Sequence, residues 1–428
     1  MKKIVTALGI VVGAALVLPK FIGSVVETEH QAMLAEMNNN ESFTVSAKSF
    51  EANWFNGSAT TEMTVHLQEA ELEDITFTIE EKLLFGPVIF ADDGVHFALS
   101  HSTATFNLNE LGVDEEVVDF IEDKIKITGL LTFSKDVVSR INVEEMSKEI
   151  DGNSMVFHAA SGEISIANKR HLTGDFQWGG MKVKSSDANV VIGPVTMDID
   201  QEVIRGDYYA GDAISVGDAN FKMTSVKVND ETGNEVVNVN NVLMTAVSTV
   251  DNDLMNINFV YHIDDIQSMG QKFEHANLEF VFENLDVNVM TELNTVFTEL
   301  SSSNPEEALS EENVQKLSAI GAKLLEKDPV IKMTDLSVET PEGKVVSDLQ
   351  VSMDKNKFDA ANFMTAMMAL QANAKGNAPE ALFAKFGLTP MINMYVDQGL
   401  LVRKDDKLSF AVSFTQGQLQ VNGQVIPM

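Results

Sequence analysis

Residues 221–239 read FKMTSVKVNDETGNEVVNV. Phe221 and Met223, then Val226 and Val228, alternate with polar residues, and Val236 and Val239 resume the pattern after a polar break. Apolar side chains at every second position fall on one face of an extended strand. Between the two runs Thr232-Gly233-Asn234 has the chemistry of a tight turn, so the stretch predicts an antiparallel hairpin.

The same alternation spreads in both directions. Upstream it passes through Phe43, Val45 and Ala47; Ala59, Thr61, Met63, Val65 and Leu67; Ile75, Phe77 and Ile79; Val95, Phe97 and Leu99; Ile125, Ile127, Leu131 and Phe133; and Ile164 with Ile166. Downstream it returns at Val330, Ile331, Met333, Leu336 and Val338, then at Val345, Leu349, Val351 and Met353, and closes with Leu408, Phe410, Val412, Phe414, Leu419 and Val421. Asn56-Gly57, Asp92-Asp93-Gly94, Asp151-Gly152-Asn153, Trp178-Gly179-Gly180, Pro341-Glu342-Gly343, Gln416-Gly417 and Asn422-Gly423 supply turn signals between runs. Short connections join antiparallel neighbours, so the fold class expected is α+β and β-rich: a long antiparallel β meander, one face apolar and one wet.

Helical spacing interrupts the meander. Leu285, Val289, Leu293, Val296, Phe297 and Leu300 repeat every three or four residues; a second helix is expected from Asn304 as N-cap, Pro305 and Glu306-Glu307, with Leu309, Val314, Leu317, Ile320 and Leu324 on its apolar stripe. The two read as a helical hairpin packed on the sheet. Shorter helices are expected at Leu111–Ile121 and Val143–Ile150, and a second pair at Phe358–Leu370 and from Thr389-Pro390 toward Leu401. The organisation expected is a membrane anchor at 1–26, an antiparallel β-rich domain at 27–285, and a mixed region at 286–428 with two helical pairs and closing strands.

At the amino terminus Lys2 and Lys3 precede an apolar run from Ile4 to Leu18 that continues past Pro19 and Lys20 to Val26. At about 1.5 Å per residue the whole run covers roughly 34 Å as a helix, against a hydrocarbon core of about 30 Å. Lys20 then extends its amine toward the headgroups, and Lys2 and Lys3 stay cytoplasmic, leaving the bulk of the chain across the membrane. A cleaved signal peptide is the rival, but no A-x-A site follows the run. From Glu27 to Met37 a short polar helix continues outward, ending at Asn38-Asn39-Asn40.

The 428 residues carry 64 acidic against 30 basic side chains, a formal net charge of -34, which opposes encounter with nucleic acid or an anionic bilayer surface. There is no cysteine, which closes thiol catalysis, zinc–thiolate sites and iron–sulfur clusters.

The closing stretch, Phe410-Ala411-Val412-Ser413-Phe414-Thr415-Gln416-Gly417-Gln418-Leu419-Gln420-Val421-Asn422-Gly423, resembles the final motif of the YdgA-like family of bacterial envelope proteins. Asp328-Pro329-Val330-Ile331, Phe85-Gly86-Pro87 and the Trp54-Phe55-Asn56-Gly57-Ser58 turn are similar to that family's corresponding segments. Where the family usually has a histidine before the Gly-Pro pair, this chain has Phe85, which speaks against a histidine role there. The resemblance implies a bacterial inner-membrane anchor, a large periplasmic portion, a homodimer among the partners, and no assigned reaction or catalytic residue.

The residues themselves offer little chemistry. His30, His66, His96, His101, His158, His171, His262 and His275 show no H-x-H, H-x-x-x-H or H-E-x-x-H spacing, and on one strand His96 and His101 face opposite sides. Asp198 and Asp200 share a strand face, as do Asp251 and Asp253 if that segment is extended, yet carboxylate catalysis on a glycan needs aromatic platforms that two Trp and four Tyr barely supply. Gly-x-Ser-x-Gly and phosphate-cradling loops are absent. Tyr208-Tyr209-Ala210-Gly211-Asp212 reads as an aromatic turn, and Met364, Met367, Met368, Met391 and Met394 read as an inward-facing core set rather than thioethers for Cu(I). No catalytic, cofactor-binding or metal residue is assigned.

The function expected is therefore a membrane-anchored periplasmic protein, non-enzymatic and without cofactor. It binds a lipid-like ligand or an envelope protein partner on a large sheet, or scaffolds an assembly as a homodimer, and binds no nucleic acid. The competing reading is a periplasmic carboxylate-dependent hydrolase acting on a cell-envelope polymer.

Overall fold

The computed structural model describes residues 22–38, 43–66, 74–106, 124–150, 153–209, 212–268, 270–301, 310–359, 362 and 365–427. Lys2, Lys3 and Lys20, the apolar run up to Phe21, the helix expected at Leu111–Ile121 and the start expected at Asn304 lie outside the described residues. Among the described residues no helix is long and apolar enough to cross a membrane.

One antiparallel ladder organises the chain. It begins with Phe43–Ala52, Asn56–Val65 and Ile75–Phe85 and runs on through Ser100–Phe106, Ile125–Leu131, Val137–Val143, Ala160–Ala167, His171–Trp178 and Val195–Arg205. Four long strands follow, Ile214–Asp230, Glu235–Asp251, Leu254–Ser268 and Gln271–Asp286. Then come Val330–Thr340, Gly343–Met353, Leu370–Pro379, Lys407–Thr415 and Gln418–Val421, with the ladder crossing residue 285 through the pairing of Glu274–Glu283 with Val330–Glu339. A side branch, Met146–Ile150, Asn153–Phe157, Met181–Lys184 and Ala188–Ile192, joins the far half of Ile214–Asp230.

The hairpin read from residues 221–239 is present. Asp230 Oδ1 accepts from the Thr232 and Asn234 backbone N–H groups at 2.9 and 2.8 Å, and Gly233 takes the left-handed conformation the turn requires (φ 85°).

Several local readings change once pairing is known. Val143–Ile150 is not helical: Val143 ends one strand and Met146–Ile150 forms a hairpin with Asn153–Phe157, because the hairpin's ladder bonds outweigh a short helical stripe. Trp178-Gly179-Gly180 is a crossover rather than a hairpin turn, since its two flanking strands pair with different partners. The first turn occupies residues 53–55, with Asn56 and Gly57 already paired in the strand beyond it. Of the apolar helix expected at Phe358–Leu370, only Ala366–Ala369 is helical among the described residues, and Leu370 opens a strand. The helix next to Thr389–Asp397 is instead Glu380–Lys385.

Leu370–Pro379 escaped the sequence reading because its inward residues are small. Ala372, Ala374, Gly376 and Ala378 stand opposite Phe414, Val412, Phe410 and Leu408. A Cβ added at Gly376 would come within 2.7 Å of the Phe410 ring, so small residues make room for large ones across the pair.

Two helical elements cover parts of the apolar face. Residues 22–37 form a helix whose Ile22 and Val26 are buried with Ala59, Leu83 and Phe85. Both residues were assigned above to the outer end of the anchor; their buried contacts place them in the body of the protein. Ion pairs fasten the helix further along, Glu29 to Lys135 at 2.7 Å and Glu36 to Lys169 at 2.6 Å. The second element is the expected helical hairpin, Val287–Ser301 and Glu311–Leu325. Asp286 Oδ1 accepts from Asn288 and Val289 N–H at 2.9 and 3.2 Å to cap the first helix, and Ser310 Oγ caps the second. Val287, Met290 and Leu324 pack with Ile214, Met255 and Leu285 at one end of the long strands.

Candidate functional site

Because directly opposed residues share a face, the registers trace an apolar row across ten strands. It runs Ile127, Ile141, Gly162, Phe176 and Met197 on the amino-terminal side. Phe221, Met244, Tyr261, Leu278 and Leu336 continue it through the long strands. Parallel rows are apolar too, as in Ala219, Ala246, Phe259, Phe280 and Met333. At about 4.8 Å between strands, ten strands present a face roughly 43 Å wide.

Among the described residues, nothing lies over much of this face. In the four long strands the buried residues are Ile214, Val242, Met255, Leu285 and Asp286, and all but Val242 lie at the end under the helical hairpin. Met197, Met244, Tyr261 and Leu336 are exposed. Beside the amino-terminal helix the face dips into a groove of about 310 Å³, walled by Ile141, Ile164, Phe176, Met197 and Ile199 with Tyr208 at its margin. Exposed apolar surface on this scale is larger than the scattered apolar residues ordinary on a protein surface. The opposite face of the long strands is mixed, with exposed Leu243 and Val247 standing among Lys222, Asp218, His262 and Asn258.

Under the amino-terminal helix a smaller cavity of about 200 Å³ is lined by Val26, His30, Leu131, Ile166 and Tyr209. Burial first, then the charges of Glu36 and Asp207, push the Tyr209 phenol up to about 12. The aromatic turn read at Tyr208-Tyr209 is thus divided, Tyr208 exposed and Tyr209 half-buried against the helix; Ala210 and Gly211 lie outside the described residues.

A second constellation sits on the small hairpin Ile89–Ala91 and Gly94–His96. Asp93 Oδ1 lies 2.9 Å from His96 Nε2 and 3.2 Å from His101 Nε2, and the two imidazoles stack with centroids 4.9 Å apart. The expectation that His96 and His101 diverge assumed one continuous strand. The chain bends at residues 97–99 and His101 belongs to the next strand, Ser100–Phe106, which brings the rings together. Burial raises the Asp93 pKa, but the His96 hydrogen bond and the His101 charge outweigh it and leave the carboxyl below its usual range. Two imidazole nitrogens and one carboxylate are a donor set for a divalent transition metal; in the geometry observed they bond one another and tie the hairpin's inner face to the sheet.

The carboxylates weighed from sequence do not converge on a cleft. Asp198 and Asp200 do share a face, but it is the exposed polar one, where Asp198 opposes Asp175 and Asp200 Oδ1 meets His171 Nε2 at 2.7 Å. Asp253 is not in an extended segment: it sits in a turn at φ 60° and pairs with Arg205 at 3.3 Å, while Asp251 ends the strand. Met367, Met368, Met391 and Met394 are exposed, which corrects the inward face expected for them; their helices are too short to wrap an apolar stripe against the sheet. Met364 lies outside the described residues.

The family described as "Bacterial protein of unknown function (DUF945)" matches residues 1–428, and the chain belongs to it. An uncharacterized protein of Haemophilus influenzae (strain ATCC 51907 / DSM 11121 / KW20 / Rd) is 27% identical over 137 residues, covering 28% of this chain and 87% of the relative. No solved structure matches the chain.

Proposed function

We propose that this DUF945 protein is a non-enzymatic binding protein of the bacterial envelope, tethered to the inner membrane by the run before Ile22, with its sheet in the periplasm and acyl chains of a lipid as the occupant of the apolar face. The finer likeness to YdgA-like proteins is compatible with this reading. One observation carries it: an apolar row continuous through ten strands, with its middle left bare by both covering elements. An extended apolar strip suits a long flexible hydrocarbon chain, which needs width and length rather than an enclosed pocket. The run that supplies the tether, Ile4 to Phe21, covers about 27 Å as a helix, close to the hydrocarbon thickness.

Mass spectrometry of lipid extracted from the purified full-length protein tests the reading, with sedimentation in parallel. Co-purifying lipid that is lost in Tyr261→Glu supports it. A lipid-free protein that sediments as a dimer, and whose dimer Tyr261→Glu dissolves, replaces the lipid with a second copy on the same face. A lipid-free monomer refutes both.

A further inference from the structure

We propose that the end of the sheet at which the chain enters it is a bilayer-docking rim, its tips lying at the headgroup level of the membrane. This rests on the tether of the preceding reading and adds the surface that tether would hold against the lipid. Three neighbouring turns make the rim. Residues 53–55 link the first two strands, residues 86–99 carry the small hairpin, and residues 132–136 link Ile125–Leu131 to Val137–Val143. Backbone bonds lock them side by side: Phe85 N–H donates to Phe55 O at 2.8 Å, Gly86 N–H to Leu99 O at 3.3 Å, and Leu99 N–H to Leu131 O at 2.9 Å.

Each turn points large apolar groups outward. Trp54, Phe55 and Phe133 are about half exposed, and Phe90 and Phe97 are 77% and 71% exposed. The hairpin shows that this is built in. Its inner face carries Ile89 and His96, the latter tied through Asp93 to His101, and the same register turns Phe90 and Val95 to the outside. Folding thus orients these side chains at the cost of exposing them to water, which is favourable only if something apolar receives them.

The position of the entering chain identifies the receiver. Ile22 is buried against Phe85, and Gly23 lies against Ala52 and Phe85, so the helix starts at this same end. The residues immediately before it are the apolar run Ile4 to Phe21. Exposed aromatics beside the exit of an apolar segment are what a membrane interface selects, Trp above all. The next turn along the same end, Asn168-Lys169-Arg170, is polar, while the connection after Val195–Arg205 brings the exposed Tyr208 to that end as well. Such a rim also sets the bare apolar face upright beside the bilayer.

The chain's two tryptophans make the test direct. Full-length Trp178→Phe protein, with Trp54 as its sole indole, is reconstituted in phosphatidylcholine vesicles and read by quenching with lipids brominated near the headgroup and with aqueous acrylamide. Expected are at least twofold bromolipid quenching, a blue-shifted emission, and loss of both in the Phe90→Ser/Phe97→Ser/Phe133→Ser variant, which stays with the vesicles after an alkaline carbonate wash. Trp54 open to acrylamide and untouched by bromolipid, in protein that resists the wash, overturns the rim and leaves the tether standing. Trp54 shielded from both quenchers overturns the rim in favour of contact between copies. Protein released by the wash overturns the tether and the rim with it.

Discussion

The sector under the amino-terminal helix and the middle of the four long strands are built from the same ladder and the same alternation, yet among the described residues one has a lid and the other does not. In the first, Ile22 and Val26 bury Leu83 and Phe85, and ion pairs through Lys135 and Lys169 hold the helix across the strands. In the second, Phe221, Met244 and Tyr261 line a row that no described residue covers. Stability in the first sector comes from packing within the chain, while in the second the apolar side chains are only half withdrawn from water and retain affinity for something else. The difference separates residues that hold the fold from residues free to bind.

The largest effect should fall in the covered sector. Phe85→Ala removes a ring with 3% exposure and is expected to cost about 3–5 kcal/mol in urea unfolding. Phe221→Ala, at a half-buried position, should cost about 1 kcal/mol. Equal costs would mean that the long strands are covered after all, and the comparison would break.

Next comes a change aimed at binding alone. Met244→Glu should move stability by under about 1 kcal/mol, while weakening uptake of a fluorescent fatty acid about tenfold, or ~1.4 kcal/mol. Unchanged uptake in a titration would remove the face as the binding surface.

The covered sector also carries a pH signature. Tyr209 titrates at about 12 in the fold against 10.0 ordinarily, so the stability it contributes is present below pH 10 and lost as pH rises toward 12. Tyr209→Phe should flatten that alkaline decline in thermal scans; a decline identical in both proteins would refute the lid contact. Asp93 has the opposite sign. Its folded pKa lies below the ordinary 3.8, so its contribution is present above that value and lost as pH falls through the depressed one. Asp93→Asn should lower hydrogen-exchange protection at residues 89–96 at pH 7 and leave the long strands untouched.

The smallest effect is expected from Lys169→Ala. Its ion pair with Glu36 is largely solvent-exposed, so the loss should stay below about 1 kcal/mol and shrink further in salt. A larger, salt-independent loss would show the lid to be held by charge rather than by Ile22 and Val26.

Strands with large apolar residues were legible because period two survives any arrangement of neighbours, and so was the turn at Thr232-Gly233-Asn234, which depends on local backbone chemistry. Leu370–Pro379 was not, since alanine and glycine give no hydrophobic signal until Phe410, Val412 and Phe414 are seen across from them. Nor was the Asp93, His96 and His101 cluster. Its members are three and five residues apart with no ligand-like spacing, and only the bend at 97–99 folds them together. The clearest signals that could have marked the rim were Trp54-Phe55 and the apolar positions flanking Asp92-Asp93-Gly94, which strand reading treats as ordinary inward residues.

The amino-acid sequence by itself determined that this chain is a β meander with a continuous apolar face, because side-chain alternation is a property of each strand alone. Which part of that apolar face is closed and which stays open was decided only by tertiary structure. Covering depends on where Ile22–Val26 and the helical hairpin land along the ladder, and that is fixed by contacts between segments far apart in the chain.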